Sequence, residues 1–185
     1  MTFEILEGAN MLSMSFDEPQ WLVDGLIMAP SVNLLAGDAG TNKSWLAQTL
    51  ALSLATGKDF LGLFPVRNPA RVLYIQTESS KRGYVTRFQR LAKGLGVNPW
   101  DIPGKLDSVT NQPFMMDNSE HMDWVASVKP DLVIFDALRD FHGYEENSSS
   151  EMRPIIQALR WLRDEHGVSL KCTPGRRPPA KSTSG

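Results

Sequence analysis

The stretch that most constrains this chain is residues 32–55: VNLLA, then GDAGTNKS, then WLAQTLALSLA. An apolar run of strand length meets a glycine-bearing loop, and an apolar run of helical length follows at once. The loop is Gly37, Asp38, Ala39, Gly40, Thr41, Asn42, Lys43 and Ser44. Against the phosphate-loop template G-x-x-x-x-G-K-[ST] it departs only where Asn42 replaces the second glycine. Glycine serves there because φ is positive or backbone comes close to phosphate, and Asn is the other residue that tolerates the left-handed region. A strand that stops just before a helix turns successive backbone N–H groups into one concavity, at the positive end of the helix dipole, where a polyphosphate fits. Lys43 then reaches the β- and γ-phosphates, and Ser44 offers its hydroxyl to Mg2+. Trp45, directly after the loop, is counted with the nucleotide-binding set, with packing as the alternative. A plain surface turn before an unrelated helix is the competing reading. The agreement of strand, Lys-Ser junction and helix speaks against it.

The rest of the chain alternates in the same way. Residues 71–76 form a β-branched and aromatic strand that runs into Thr77 and Glu78, and a helix is predicted over 80–95. A weaker strand near 105–109, a short helix over 120–128 and a strand over 131–136 follow. Ser148-x-x-Glu151 has the spacing of a capping box, and the helix behind it runs to about residue 166, with Pro154 in or just past its first turn. A last strand starts at 168–170. Strands alternating with helices predict an α/β fold, a parallel sheet sandwiched by helices, with the carboxyl ends of the strands at one edge. Gly37, Glu78 and Asp136 all fall just past such ends, where ligands of open α/β sheets bind.

Asp136, closing the LVIF strand, is the expected second anchor for Mg2+, held through water; a turn cap is the plainer alternative. Glu78 is the expected catalytic carboxylate if its strand neighbours the loop strand. Orienting or deprotonating a water is typically worth about 10²–10⁴-fold in rate. Its alternative is an acid ahead of the next helix. Asp140 and His142 follow the Asp136 strand and are candidates to line the same cleft, the histidine as a phosphate sensor, with packing or a surface position as its equal alternative. Lys81, Arg82, Arg87, Arg90 and Lys93 read as a solvated helix face rather than a partner site. Trp21 reads as a plug at the core edge rather than a base-stacking ring, and His121 and His166 as surface residues. No Cys/His group has zinc spacing.

The 185 residues suffice for one domain with a substantial core. With 42% hydrophobic and 22% charged residues the composition is that of a soluble globular protein. The net charge of −2 gives no overall field for nucleic acid, so any DNA contact is local. No segment holds about 18 uninterrupted apolar residues, and a membrane span is not expected. The single cysteine, Cys172, suits a reducing cytosol, and a cytoplasmic location is expected. Acids and no basic run at the amino end argue against a secretory signal.

Three stretches together resemble one family: WLVDGLI through VNLLAGDAGTNKSWLAQTLALSLATG, VLYIQTESS, and LVIFDALRDFHGYEENSSSEMRPIIQALRWLRDEHGVSL. They look like the RepA-type, RecA-like AAA ATPases, a group similar to hexameric replicative helicases and RecA/KaiC-type motors. The resemblance implies a RecA-like P-loop NTPase core over 21–171 behind a leader over 1–20. It implies ATP and Mg2+ as ligands, single-stranded DNA as a partner, and a homo-oligomeric ring or filament. By position, Lys43 and Ser44 hold phosphate and metal, Asp136 the metal's water shell, and Glu78 is the catalytic glutamate.

The carboxyl end departs from the family. Its relatives continue into a His-rich sensor and a catalytic arginine, whereas here residues 172–185 are polar, proline-bearing and basic. They are expected to be a disordered tail, with the core incomplete at the C-terminus through truncation or a reading-frame change. An arginine finger supplies about 10³–10⁵ in rate. A non-catalytic nucleotide-binding or assembly module is therefore the alternative function, and a small-molecule P-loop kinase a more distant one.

Overall fold

A computed structural model of the chain describes residues 5–38, 40–102, 105–145 and 148–173. Ala39 of the loop, the first four leader residues and the tail from 174 onward lie outside the described residues.

Five parallel strands make the central sheet: β3 (Val32–Leu34), β4 (Val72–Gln76), β5 (Leu106–Thr110), β6 (Leu132–Asp136) and β7 (Ser169–Thr173), in the order β3-β7-β6-β4-β5. The chain crosses from β3 to β4 and β5, then returns through β6 and β7. The outward crossovers carry α2 (Lys43–Thr56) and α3 (Lys81–Gly94), and the returning ones carry α4 (Ser119–Val128) and α5 (Arg153–His166). The two pairs cover opposite faces. Val72, Tyr74, Leu132 and Ile134 pack on the α2 side, while Leu73, Ile75, Val133 and Phe135 pack on the α5 side. The α/β class with helices on both faces is thus the architecture found.

The helix behind the loop starts at Lys43 and ends before Gly57, whose φ of 72° suits a C′ glycine. It is apolar nearly all round because it is buried from Leu50 to Ala55, wedged between the sheet and α3. No helix among the described residues is long and apolar enough to cross a membrane.

Several expectations need correction. The short apolar segment 21–27, ahead of the first strand read from the sequence, is itself part of a strand pair. It belongs to an antiparallel hairpin, β1 (Gln20–Val23) and β2 (Ile27–Ala29), with Gly25 at φ 68° in the turn. Val23 and Ile27 plug the core, while Trp21 stands 39% exposed opposite Met28. Cys172 and Thr173, read above as the start of the tail, are buried residues of β7, which pairs with β3 and β6 on its two sides. Polar Ser169, Lys171 and Thr173 alternate with Leu170 and Cys172, and they disguise an interior strand. The Ser148 motif does not cap α5, whose N-cap is Met152. It closes a turn ahead of the helix, with Glu151 N donating to Ser148 Oγ and Glu145 N donating to Glu151 Oε2. Pro154 sits in the first helical turn, where its missing N–H costs nothing. His121 is half-buried, hydrogen-bonded to the Met115 backbone and stacked on Phe114. The leader contains a short helix, α1 (Gly8–Ser13), that buries no residue.

Candidate functional site

The loop after β3 adopts the conformation its glycine and asparagine permit. Asn42 has φ 60° and ψ 26°, and Gly40 has φ 81°. A side chain at Gly37 would place its Cβ 3.0 Å from Thr41 Oγ1. Thr41 Oγ1 donates to the Asp38 carbonyl at 2.7 Å. Lys43 Nζ donates to the carbonyls of Gly37 and Asp38 at 2.7 and 2.8 Å, so the ammonium curls back over the loop. At the start of α2 no side chain caps the first N–H groups, and no acid stands in the first turn. These donors are left for an anion.

The loop and α2 lead the chain away from β3 and across β6 and β4. A cleft of about 470 Å³ forms there, lined by residues 40–45, by Glu78, Ser79 and Arg87, and by Asp136 and Ala137. Of the predicted residues, Gly40, Thr41, Asn42, Lys43, Ser44, Trp45, Glu78 and Asp136 share this cleft, and Gly37 and Asp38 stand behind it as acceptors for Lys43. One premise was wrong: β4 does not neighbour β3, because β7 and β6 lie between them. Glu78 reaches the cleft because the helix crosses the sheet, not because the strands are adjacent.

Asp136 sits at the same level as Gln76 and Thr173 on its neighbouring strands. It is buried, and both of its oxygens are engaged: Tyr74 Oη donates to Oδ2 at 2.6 Å and Thr173 Oγ1 donates to Oδ1 at 2.5 Å. Burial, then the Asp136 charge and this hydrogen bond, push the Tyr74 phenol well above its ordinary value, which keeps it a donor. The peptide bond from Asp136 to Ala137 is cis. Gln76 clamps the turn that carries Glu78, accepting from Ser79 N at 2.9 Å and donating to Ser79 O at 3.1 Å. Thr77 Oγ1 adds a bond to Asp140 Oδ2 at 2.8 Å.

Asp140 therefore braces the Glu78 turn and does not line the cleft. His142 is buried outside it, its Nδ1 accepting from Tyr144 N at 3.2 Å. Burial pushes the Cys172 thiol up to about 12, in keeping with an inert residue. Four residues escaped the sequence reading: Tyr74, Gln76 and Thr173, which position carboxylates, and Arg87. Arg87 leaves the solvated face of α3, lines the cleft and donates to Ser79 Oγ. A polar Gln or Thr at the end of a buried strand was the only available signal.

The donor set fits Mg2+. Ser44 and Asp136 are hard oxygen donors at one cleft, and among the described residues no group of three or more His, Cys, Asp or Glu holds a metal alone. Mg2+ characteristically takes one or two protein oxygens and completes its shell with phosphate and water. A family model described as an AAA domain matches residues 4–173, taking in most of the leader and the whole sheet.

Proposed function

The chain belongs to the AAA domain family of nucleotide-binding ATPases, and we propose that it binds ATP with Mg2+ in the cleft at the amino end of α2 and hydrolyses it as a RepA-type, RecA-like motor serving DNA replication or recombination. The observation that carries this reading is the convergence of Lys43, Ser44, Glu78 and Asp136 on one cleft from three separate elements. The α2 amides and Lys43 take the β- and γ-phosphates, with the ammonium exchanging its two loop carbonyls for phosphate oxygens. Ser44 would hold hydrated Mg2+ directly and Asp136 would hold it through water, and the ion would supply positive charge against that developing on the phosphate. Tyr74 and Thr173 fix the Asp136 carboxylate as an acceptor for the metal's water shell. Glu78 orients the attacking water and takes its proton, on a turn held rigid by Gln76. Arg87 adds a positive charge on the Glu78 side.

Single-stranded DNA as partner, homo-oligomeric assembly and a cytoplasmic setting belong to the same reading. The resemblance of the three quoted stretches supports the first two, and the lone unreactive cysteine supports the third.

The test is ATP binding and turnover, with and without single-stranded DNA. Lys43→Ala is expected to lose both binding and turnover. Glu78→Gln is expected to bind ATP and turn it over about 10²–10⁴-fold more slowly. DNA is expected to raise the wild-type rate. If Lys43→Ala binds ATP as well as the parent, the phosphate-loop assignment is wrong. Binding without turnover, unmoved by DNA, would leave a non-catalytic nucleotide-binding module.

A further inference from the structure

Glu78 stands between two tethered neighbours. Behind it, Gln76 holds Ser79, accepting from its N–H at 2.9 Å and donating to its carbonyl at 3.1 Å, and the Arg87 guanidinium donates to its hydroxyl. Ahead of it, Thr77 Oγ1 donates to Asp140 Oδ2 at 2.8 Å. The ties on Ser79 come from β4 and α3, the two elements that flank the turn. The tie on Thr77 comes from 63 positions further along the chain, beyond the end of β6.

That second tie begins where the sheet stops. The β4–β6 ladder runs from Val72 opposite Leu132 to Gln76 opposite Asp136 and ends there. One residue past it on β4, the Thr77 hydroxyl reaches across to Asp140. Asp140 lies in a single 3-10 turn, Leu138–Phe141, directly behind Asp136 and Ala137. The turn is anchored without the Asp140 side chain. Leu138 is buried, Phe141 is fully buried among the rings of Phe114 and Phe135, and the Phe141 carbonyl accepts from Met116 N at 2.9 Å. Asp140 itself is exposed and takes no part in the core. Its carboxylate thus links a rigid element, continuous with the Asp136 strand, to the turn that carries Glu78.

We propose that Asp140 is a positioning residue for hydrolysis: through the Thr77 hydroxyl it aims the Glu78 carboxylate at the attacking water. The proposal rests on the role given to Glu78 above. A general base must lie within hydrogen-bond reach of the proton it takes, and a misplacement of about 1 Å can cost about 10²-fold in rate. A single hydrogen bond at an exposed position adds little net stability. Losing this one is therefore expected to slow turnover and to spare both the fold and the phosphate loop.

The test compares kcat, ATP affinity and thermal midpoint of the full chain with those of its variants, beside Glu78→Gln. Asp140→Ala and Thr77→Val are each expected to lower kcat by about 10–10²-fold, with ATP affinity and midpoint close to the parent's. Asp140→Asn keeps an oxygen that accepts from Thr77 and is expected to retain most of the turnover. The double variant is expected to be no slower than the slower single one, because both changes remove the same bond. Amide exchange at Ser79, read without nucleotide, is expected to quicken in Asp140→Ala. The proposal is overturned if Asp140→Ala turns over like the parent, if its defect lies in ATP affinity, or if Ser79 exchanges at the parent's rate; these outcomes leave the role of Glu78 standing. A parent that binds ATP without turnover, or a Glu78→Gln variant as fast as the parent, overturns the role of Glu78 and the positioning role with it.

Discussion

The two faces of the sheet are built from alternate residues of the same strands, yet they differ in kind. On the α4–α5 side Phe114, Phe135 and Phe141 meet with ring centroids 5.6–5.8 Å apart, and Ile155, Leu159 and Leu162 close over them. On the α2–α3 side the interior holds polar groups. Gln48, Ser53 and Ser169 are buried without a side-chain partner, Lys171 is buried two residues beyond Ser169 on β7, and Asp136 leans on Tyr74 and Thr173. An unpartnered buried polar group costs about 1–3 kcal/mol. His142 Nε2 apart, the unpartnered buried side chains of the two sheet faces thus gather on the one that carries the cleft, while the opposite face is closed by dense aromatic and aliphatic packing. Function and stability are separated across one sheet.

That division can be tested by substitutions of decreasing effect. Leu162→Ala empties a fully buried position on the α5 side. It is expected to cost about 2–5 kcal/mol in denaturant unfolding while leaving ATP affinity of the folded chain unchanged. A loss of affinity would mean that the two faces are coupled. Tyr74→Phe removes a donor from Asp136 and should act on both properties, costing about 2 kcal/mol and lowering turnover. It also has a pH signature. The folded-state phenol value is raised, so its contribution is fully present below the unfolded value of about 10 and fades as pH rises above it. Alkaline loss of stability should accordingly be shallower in Tyr74→Phe than in wild type. The smallest effect is expected at Lys171, whose ammonium is depressed by burial and pairs with no carboxylate among the described residues. Lys171→Met replaces a poorly solvated cation with an apolar chain of similar length and should raise the thermal midpoint by about 2 °C. A fall instead would show that the lysine is held by an interaction the strand geometry does not reveal.

Local order was largely legible. The bounds of α2 follow from Lys-Ser at one end and Gly57 at the other, and the positive φ of Asn42 follows from the one template departure. The strands at 72–76 and 132–136 are dense in β-branched and aromatic residues and could be read directly. The β1–β2 hairpin was missed because its strands are three and four residues long and its signal is one glycine. The second half of β7 was missed because Lys171 and Thr173 look like surface residues until both neighbouring strands are in place.

What the sequence determined by itself was the punctuation: where each strand stops, where the phosphate loop turns, and which acids stand at the ends. Those depend on backbone propensity and periodicity over a few residues. The tertiary structure alone decided which ends meet. Strand order placed β7 and β6 between the loop strand and the Glu78 strand, the crossing of α2 restored their proximity, and the register of β4, β6 and β7 brought Tyr74 and Thr173 onto Asp136. Such pairings join residues separated by 37 to 62 positions. They arise from how helices cover a sheet, which no local spacing encodes.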